Sequence, residues 1–310
     1  MNNSLTNDFE KFIKSISLND TLIDDIISKH NSLSEMIINN PPTGYKIYKK
    51  RLSGSYAKHI VLNETDKTKK PDVDMILIIE TDEEDIFTIS NDFLEYLKDK
   101  KGKVVVEVRQ QSNSIGILYK NIDVDIVLAK IDDKNDENKI RIVSTKNNSW
   151  IPSNCLKQIE FMKEQSKRYA FDYRGLMKLF KYLNKERLNN SLKSYTLEML
   201  IHKCVPAPKV GQRIFQIFVD TLDNITKIDD ISQIKDCCDN NKLGYDIKDA
   251  LIFQSFKNEI SCICECAKAA LNGDRKKWEE IFGDKFPIQP QEKVENNNIY
   301  DKSQTPWCYE

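Results

Sequence analysis

The chain has 310 residues, of which 40% are apolar and 31% are charged, a composition typical of a globular protein with one large domain or two lobes. The net charge of −1 excludes the global basic field that would draw a protein onto duplex nucleic acid, so a phosphate-bearing substrate needs a local positive site. The chain opens without a signal-peptide pattern and its densest apolar run, residues 75–79, is too short to cross a bilayer, so we expect a cytoplasmic protein with no membrane partner.

The first half of the chain mixes helical and strand-like patterns. Apolar residues three and four apart in 8–38 predict one or two amphipathic helices, and shorter helical character is predicted at 44–52. A further helix is predicted at 85–100, whereas the polar, Asn-rich residues 130–149 predict a loop. Short β-branched runs bounded by turn-like residues predict four strands, at 72–80, 103–110, 115–119 and 122–129.

The second half is helical by periodicity. From 155 to 283 no strand pattern is evident, and the last 22 residues, from Gln289, carry no pattern at all. These features predict an α+β protein with a mixed sheet flanked by helices. We expect an α/β lobe at 1–155, whose first helix spans both lobes, a helical lobe at 156–288 and a flexible tail at 289–310.

Carboxylates at the start of two predicted strands suggest a metal site. Asp72 and Asp74 are two residues apart, so they project from the same face of their strand. A third carboxylate from the strand at 122–129 completes a set of hard oxygen ligands, and spacing alone leaves Asp123 and Asp125 equivalent. Such a set suits Mg²⁺, and two ions can activate an attacking hydroxyl and stabilise a leaving pyrophosphate.

Two other features suggest phosphate binding. Gly54 allows a close backbone approach, and Ser55 with its neighbouring N–H groups can donate to phosphate oxygens. Residues 157–187, predicted to be helical and rich in Lys and Arg, also carry basic residues on one helical face, which could hold a triphosphate against the aspartates. These residues are Arg174, Lys178, Lys181 and Lys185, of which we expect all except Lys181 to lie on an ordinary solvated face.

Cysteine and histidine do not predict a metal site of their own. The chain has eight Cys and three His, and its CxCxC run lacks the usual zinc spacing, so we expect these thiols simply to lie on a helix: Cys262, Cys264 and Cys266. His59 follows the Gly54-Ser55 pair and is expected to be a loop residue, because a two-metal site needs no histidine base. His30 and His202 lie on helical patterns and are expected to be structural.

Several segments resemble a known family. The runs GSY (54–56), DVDMILII (72–79) and IDVDIVLA (122–129) resemble the nucleotidyltransferase signature of the cGAS/DncV-like (CD-NTase) enzymes, within the DNA polymerase β-like superfamily. Three more segments are similar to the family's helical lobe: GLMKLFKYLN (175–184), SLKSYTLEMLIHK (191–203) and KKWEEIFGDKFP (276–287). One departure is Ile60, which stands in a stretch where many relatives carry Thr.

The resemblance implies a polymerase β-like fold and assigns roles to residues. It selects Asp125 rather than Asp123, so that Asp72, Asp74 and Asp125 are the catalytic residues and the ligands of two Mg²⁺ ions, for which Mn²⁺ can substitute. It also implies that a Lys and a Ser-Tyr pair approach the donor triphosphate, which here are Lys181, Ser194 and Tyr195. For Tyr195 a core position and stacking on a base are equally compatible with the sequence.

The implied function is synthesis of a cyclic di- or trinucleotide from nucleoside triphosphates, with pyrophosphate release. ATP is the favoured substrate, with GTP or a pyrimidine nucleotide as alternatives. The resemblance further implies anti-phage (CBASS) signalling with a regulatory or conjugating operon partner. Competing interpretations are a linear or RNA-modifying transferase, a protein-nucleotidylating toxin and a non-catalytic sensor, the last opposed by the intact aspartates. Ring size, linkage and base choice are left open.

Overall fold

The computed structural model describes residues 2–63 and 70–287, with only the backbone given for residues 2 and 3. Most of the polar loop at 63–71 and the whole of the predicted tail at 289–310 therefore lie outside the described residues. Within those two ranges, no helix is both long enough and apolar enough to cross a membrane.

The predicted N-terminal helical region forms two helices, α1 (Asn2–Ser15) and α2 (Asp20–Asn39). Helix α2 begins after Asn19, whose side chain accepts a hydrogen bond of 2.8 Å from the Leu22 backbone N–H and caps the helix. The two helices pack into different hydrophobic cores. Buried α2 side chains such as Ile26 pack against the sheet, whereas Phe9 and Phe12 of α1 join the core of the helical half.

A seven-stranded mixed sheet forms the first half of the chain. Its strand order is β1-β2-β5-β4-β3, and β6 and β7 extend from the later part of β5. Strands β2 and β5 are parallel, and the other pairs are antiparallel. The strands are β1 (Lys46–Ser53), β2 (Asp72–Glu80), β3 (Val105–Gln110), β4 (Ile115–Tyr119), β5 (Asp123–Ile131), β6 (Ile140–Ser144) and β7 (Ser149–Ser153). Besides α1 and α2, two further helices lie in this half, α3 (Gly54–Ala57) and α4 (Ile86–Lys100).

Two predictions for this half are wrong. Residues 44–52 were expected to be helical, but they form β1, which pairs antiparallel with β2 from Lys46 opposite Glu80 to Ser53 opposite Asp74. The loop expected at 130–149 contains β6, whose Ile140 is buried and pairs with β5. In both cases pairing with an available sheet edge outweighs local propensity, which is weak in Lys- and Asn-rich segments.

The second half is mainly helical. Its helices are α5 (Cys155–Arg168), α6 (Tyr173–Glu186), α7 (Ser194–Cys204), α8 (Ile214–Thr226), α9 (Ile247–Leu271) and α10 (Lys276–Phe282), with a 3₁₀ turn at Ile231–Gln233. The expectation of no strands here is wrong, because β8 (Lys235–Asp236) and β9 (Asp239–Leu243) form a small antiparallel hairpin. Every residue of β9 is exposed, so the hairpin leaves no hydrophobic alternation in the sequence.

An aromatic cluster holds α1 in the helical half. The Phe9 and Trp278 ring centroids lie 4.9 Å apart in an edge-to-face arrangement, and those of Phe12 and Phe282 are also 4.9 Å apart. Phe286 completes the cluster, 5.1 Å from Phe9. The N-terminal helix and the last described helix therefore close one core together. The predicted α+β class, with a mixed sheet and a helical second half, is confirmed.

Candidate active site

The first two aspartates lie beside β5 at the opening of β2. Because β2 and β5 are parallel and in register, Asp72 lies opposite Asp123 and Asp74 opposite Asp125. Adjacent strands are about 4.8 Å apart, and paired residues point to the same face, so four carboxylates share one face of the sheet. Asp72 is exposed, whereas Asp74 and Asp125 are half-buried. The fold thus brings the three predicted aspartates to one side of the sheet, with Asp74 and Asp125 as direct neighbours.

The two candidate third aspartates differ in their partners. Asp123 is ion-paired with Lys70, with 3.6 Å between Nζ and Oδ1. Asp125 instead accepts a 3.0 Å hydrogen bond from the side-chain amide of Gln111, which orients it without neutralising its charge. This difference favours Asp125 as the residue with charge available for a cation. Gln111 carried no signal in the sequence.

Asp74 and Asp125 are held in an electrostatically unfavourable arrangement. Burial raises the pKa of Asp74, and the positive charges of Lys58 and Lys181 oppose that rise. Burial, together with the negative charge of Asp74, raises the pKa of Asp125 from 3.8 to about 6. A divalent cation would relieve this like-charge contact, and the available donors are the hard oxygens that Mg²⁺ prefers. The residues present therefore fit the predicted magnesium site.

Gly54 lies directly against Asp74. It adopts φ +63°, and a Cβ placed on it would come within 1.7 Å of Asp74 Oδ2. The sheet register brings Gly54 to this place: Ser53, the last residue of β1, pairs with Asp74, so the chain turns at Gly54 directly beside the Asp74 carboxylate. No side chain fits at position 54, which explains why the turn requires glycine.

A cavity of about 190 Å³ separates the two halves beside Asp72. Its walls carry three lysines against one aspartate, so the cavity suits an anion such as a phosphate chain. The polar side chains lining it are Ser55, Lys70, Asp72, Lys181, Asn184, Lys185, Asn190 and Ser194. The predicted Ser55, Lys181 and Ser194 are thus brought together with Asp72, although they lie in α3, α6 and α7.

The basic face of α6 is not the solvated surface that was expected. Lys178 is half-buried and donates a 2.7 Å hydrogen bond to Ser17 Oγ, just after the end of α1. The Lys185 side chain is only 12% exposed and lines the cavity with Lys181. Arg174 is also half-buried. The prediction of a solvated face is wrong because α6 packs between α1 and the cavity. The sequence did contain a signal for Lys185: it lies one helical turn after Lys181 and therefore faces the same cavity.

Tyr195 is oriented differently from its neighbour Ser194. Its hydroxyl lies 2.8 Å from Asp236 Oδ2 and 3.1 Å from the Leu243 carbonyl oxygen, both in the β8–β9 hairpin. Its ring packs against the helical core, and it does not belong to the set of residues that line the cavity. Its proposed contact with a base stays a prediction.

A buried ion pair joins the two halves beneath the site. Lys58, at the end of α3, is bonded to the carboxylate of Glu198 in α7. Their side chains are 9% and 4% exposed, respectively. Neither residue carries a signal for this contact in the sequence, because 140 positions separate them.

The histidines and the CxCxC run take no part in the cavity. His59 is exposed in the turn after α3, at φ +58°. His30 is buried on α2, and His202 Nδ1 lies 2.7 Å from the Tyr173 hydroxyl. The three thiols of the CxCxC run lie on α9 and differ in exposure: Cys262 is exposed, Cys266 is half-buried and Cys264 is buried.

Together, the two halves, the paired aspartates, the glycine turn and the basic cavity define a nucleotidyltransferase of the polymerase β-like class. Residues 3–166 match the family model of the Second Messenger Oligonucleotide or Dinucleotide Synthetase domain (SMODS). Since the match spans more than half of the chain, the chain belongs to this family. The predicted CD-NTase membership and the predicted function class, synthesis of oligonucleotide second messengers, are confirmed.

Relatives cover nearly the whole chain. A cyclic AMP-AMP-AMP synthase from Acinetobacter sp. is 23% identical over 305 residues, 93% of this chain and 87% of the relative. The solved structure of Escherichia coli MS115-1 CdnC with ATP superposes with a TM-score of 0.67 at 18% identity, over 91% of this chain and 98% of that one. The Bradyrhizobium diazoefficiens CD-NTase CdnG in complex with GTP gives a TM-score of 0.69 at 14% identity, over 91% and 96%. These superpositions establish the shared fold.

Proposed function

We propose that this chain joins nucleoside triphosphates, ATP foremost, into a cyclic di- or trinucleotide with release of pyrophosphate. The observation that carries the proposal is the register of β2 on β5, which sets Asp74 beside Asp125. Asp72, two residues before Asp74 on the same face of β2, lines the cavity together with three lysines. The proposal for ATP is supported by the cyclic AMP-AMP-AMP synthase relative and by the ATP bound to CdnC, whereas the GTP bound to CdnG keeps GTP as the alternative.

In the proposed reaction, Asp72, Asp74 and Asp125 hold Mg²⁺, with Mn²⁺ as a substitute. When bound by these residues, the cations would make the acceptor hydroxyl more acidic and would stabilise negative charge at the α-phosphate and the leaving pyrophosphate. Gln111 keeps the Asp125 carboxylate oriented through its 3.0 Å hydrogen bond. Gly54 lets the chain pass close to Asp74, and this places Ser55 on the cavity wall.

The lysines of α6 bind the phosphates in this proposal. Lys181 and Lys185 line the cavity opposite Ser55, and Ser194 approaches from the start of α7. Fixed positive charges at this wall favour the triphosphate and the negative charge that develops as pyrophosphate leaves. Each further attack in the same pocket releases another pyrophosphate, and the last one closes the ring: the second transfer for a cyclic dinucleotide, the third for a cyclic trinucleotide.

The test is incubation of the full chain with each labelled nucleoside triphosphate, singly and in pairs, with Mg²⁺ or Mn²⁺. Phosphatase treatment followed by mass spectrometry should reveal a resistant cyclic product. Asp74→Asn should abolish it, and Asp99→Asn, which changes an exposed aspartate on α4, should retain it. A product that lengthens and stays phosphatase-sensitive would instead show a linear polymerase, and label on protein would show a protein-modifying enzyme.

The proposed biological setting is anti-phage signalling with an operon-encoded partner. It is supported by the complex that CdnC forms with a HORMA protein. Phage plating on cells that carry the intact operon, compared with an operon encoding Asp74→Asn, tests this setting. Equal plaque numbers for the two operons would refute it.

A further inference from the structure

A second set of potential metal ligands lies in the helical half, at the turn between β8 and β9. Asp236, Cys237 and Cys238 each place a ligand atom within 4.8 Å of the other two. Over residues 2–63 and 70–287, this is the one group of three or more His, Cys, Asp or Glu residues that meets that distance. The Asp72, Asp74 and Asp125 carboxylates are not so tightly grouped, a spread compatible with ligands shared between two ions.

The sulfur atoms have the spacing that one metal ion requires. Cys237 Sγ and Cys238 Sγ lie 3.6 Å apart. In a tetrahedral site with Zn–S bonds of about 2.3 Å, two sulfur ligands are separated by about 3.8 Å. Both thiols can therefore bind one ion with a movement of a few tenths of an ångström. Both are half-buried, so an ion can reach them.

The carboxylate of Asp236 is buried and firmly oriented. Its residue is 1% exposed, and its Oδ2 is held by the Tyr195 hydroxyl at 2.8 Å and by the Gln158 amide at 3.1 Å. Its Oδ1 accepts a 2.8 Å hydrogen bond from the Cys238 backbone N–H. A carboxylate oxygen has two lone pairs, so the second one on Oδ1 can bind a metal ion. Hydrogen bonds from outer residues that fix a ligating group are characteristic of built metal sites.

We propose that Asp236, Cys237 and Cys238 bind one thiophilic divalent cation of the Zn²⁺ class, with water completing the coordination. On binding, two S–H bonds break, two metal–sulfur bonds form and two protons pass to the buffer. This site is separate from the proposed magnesium site in ligand type, and it does not depend on the proposed function.

The bound ion would connect the hairpin to α7. The Cys237 backbone N–H donates to Met199 Sδ at 3.3 Å, and the Tyr195 hydroxyl is bonded to Asp236. Tyr195 follows Ser194, which lines the cavity. Occupancy therefore stabilises the start of α7, the segment that presents Ser194.

The test uses the reduced, metal-stripped full chain titrated with Zn²⁺ and, for its thiolate charge-transfer absorption, with Cd²⁺. We expect one ion per chain, release of about two protons and a rise in Tm. The variant Cys237→Ser/Cys238→Ser should weaken binding at least about 100-fold, and Asp236→Asn about 10- to 100-fold. The control Cys262→Ser/Cys266→Ser should bind as the wild type does.

Three results would overturn the site: no binding by the wild-type chain at micromolar Zn²⁺, equal affinity in the Cys237→Ser/Cys238→Ser variant, or loss of binding in the Cys262→Ser/Cys266→Ser control alone. Circular dichroism of each variant establishes that it is folded. If the double serine variant does not fold, Asp236→Asn and the single variant Cys238→Ala provide the same comparison.

Discussion

Lys58 and Glu198 form a buried ion pair between the turn that follows Gly54-Ser55 and the helix that begins at Ser194. The pair therefore connects two walls of the cavity through one contact. Lys58 also opposes the rise in the pKa of Asp74, whereas Glu198 adds to it. A buried pair of this kind contributes little net stability but strongly disfavours the loss of one partner.

Removing one member of this pair should be much worse than removing both. We expect Lys58→Met to lower the free energy of unfolding by about 3–5 kcal/mol, because it leaves the Glu198 carboxylate buried and unpaired. Lys58→Met/Glu198→Leu should recover most of this loss. Urea denaturation of the two single variants and the double variant measures the coupling, and strictly additive losses would contradict the pairing.

Gly54→Ala should inactivate the enzyme without unfolding it. The new Cβ would lie 1.7 Å from Asp74 Oδ2, so the carboxylate must move, and we expect kcat/KM to fall about 100-fold or more. Gly44→Ala is the matched control, since Gly44 also has positive φ, at +89°, but nothing lies within 4 Å of its added Cβ. Steady-state kinetics of both variants, with Tm as a check on folding, tests this. Equal losses in the two variants would show that backbone strain alone is responsible.

Asp125→Asn should stabilise the metal-free protein while abolishing synthesis. The folded state raises the Asp125 pKa from 3.8 to about 6, so it binds the proton more tightly than the unfolded chain does. The charged form therefore destabilises the fold as pH rises through that window, by about 1–3 kcal/mol at pH 7. The gain in Tm of Asp125→Asn should be absent below about pH 4, grow between about pH 4 and 6, and be complete above about pH 6.

The control for this prediction is Asp133→Asn. A backbone N–H from Asn135 lowers the pKa of Asp133, so its charged form is favoured in the folded state and its removal should give no gain. Added Mg²⁺ should raise the Tm of the wild-type protein more than that of Asp125→Asn. A destabilised Asp125→Asn at pH 7 without metal would contradict the electrostatic account.

Lys185→Ala should weaken nucleotide binding. Lys185 lines the cavity with Lys181, and a lost charge-assisted hydrogen bond to phosphate costs about 1.5–3 kcal/mol, or roughly 10- to 100-fold in affinity. Equilibrium binding of a non-hydrolysable ATP analogue measures the effect directly. The exposed Lys203 of α7 supplies a control, and Lys203→Ala should bind with wild-type affinity. Unchanged affinity in Lys185→Ala would place the phosphates elsewhere.

Trp278→Ala should destabilise the protein by about 3–5 kcal/mol. Trp278 is fully buried, and its ring meets Phe9 of α1 at 4.9 Å, so truncation leaves a large cavity between the two ends of the described chain. Phe87→Ala removes an aromatic ring that is 48% exposed and should cost well under 1 kcal/mol. Chemical denaturation of both variants distinguishes core packing from a general effect of losing an aromatic residue.

Much of the local structure could be predicted because its signals are local. The strands at 72–80 and 115–119 were predicted with their observed bounds, since β-branched runs with turn-like flanks specify a strand directly. The two-residue period of a strand also placed Asp72 and Asp74 on one face before any partner strand was known. Strands β1, β6 and β9 could not be predicted, because their pairing depends on an available neighbour and β9 buries no side chain.

The sequence by itself therefore determined the class of protein, the carboxylates at the start of β2 and the helical character of the second half. Only the tertiary structure decided that Asp74 lies opposite Asp125, that Gln111 holds the latter, and that Lys58 reaches Glu198. The physical reason is that strand register and helix packing bring together residues far apart in the chain, and no local pattern encodes the distance between them.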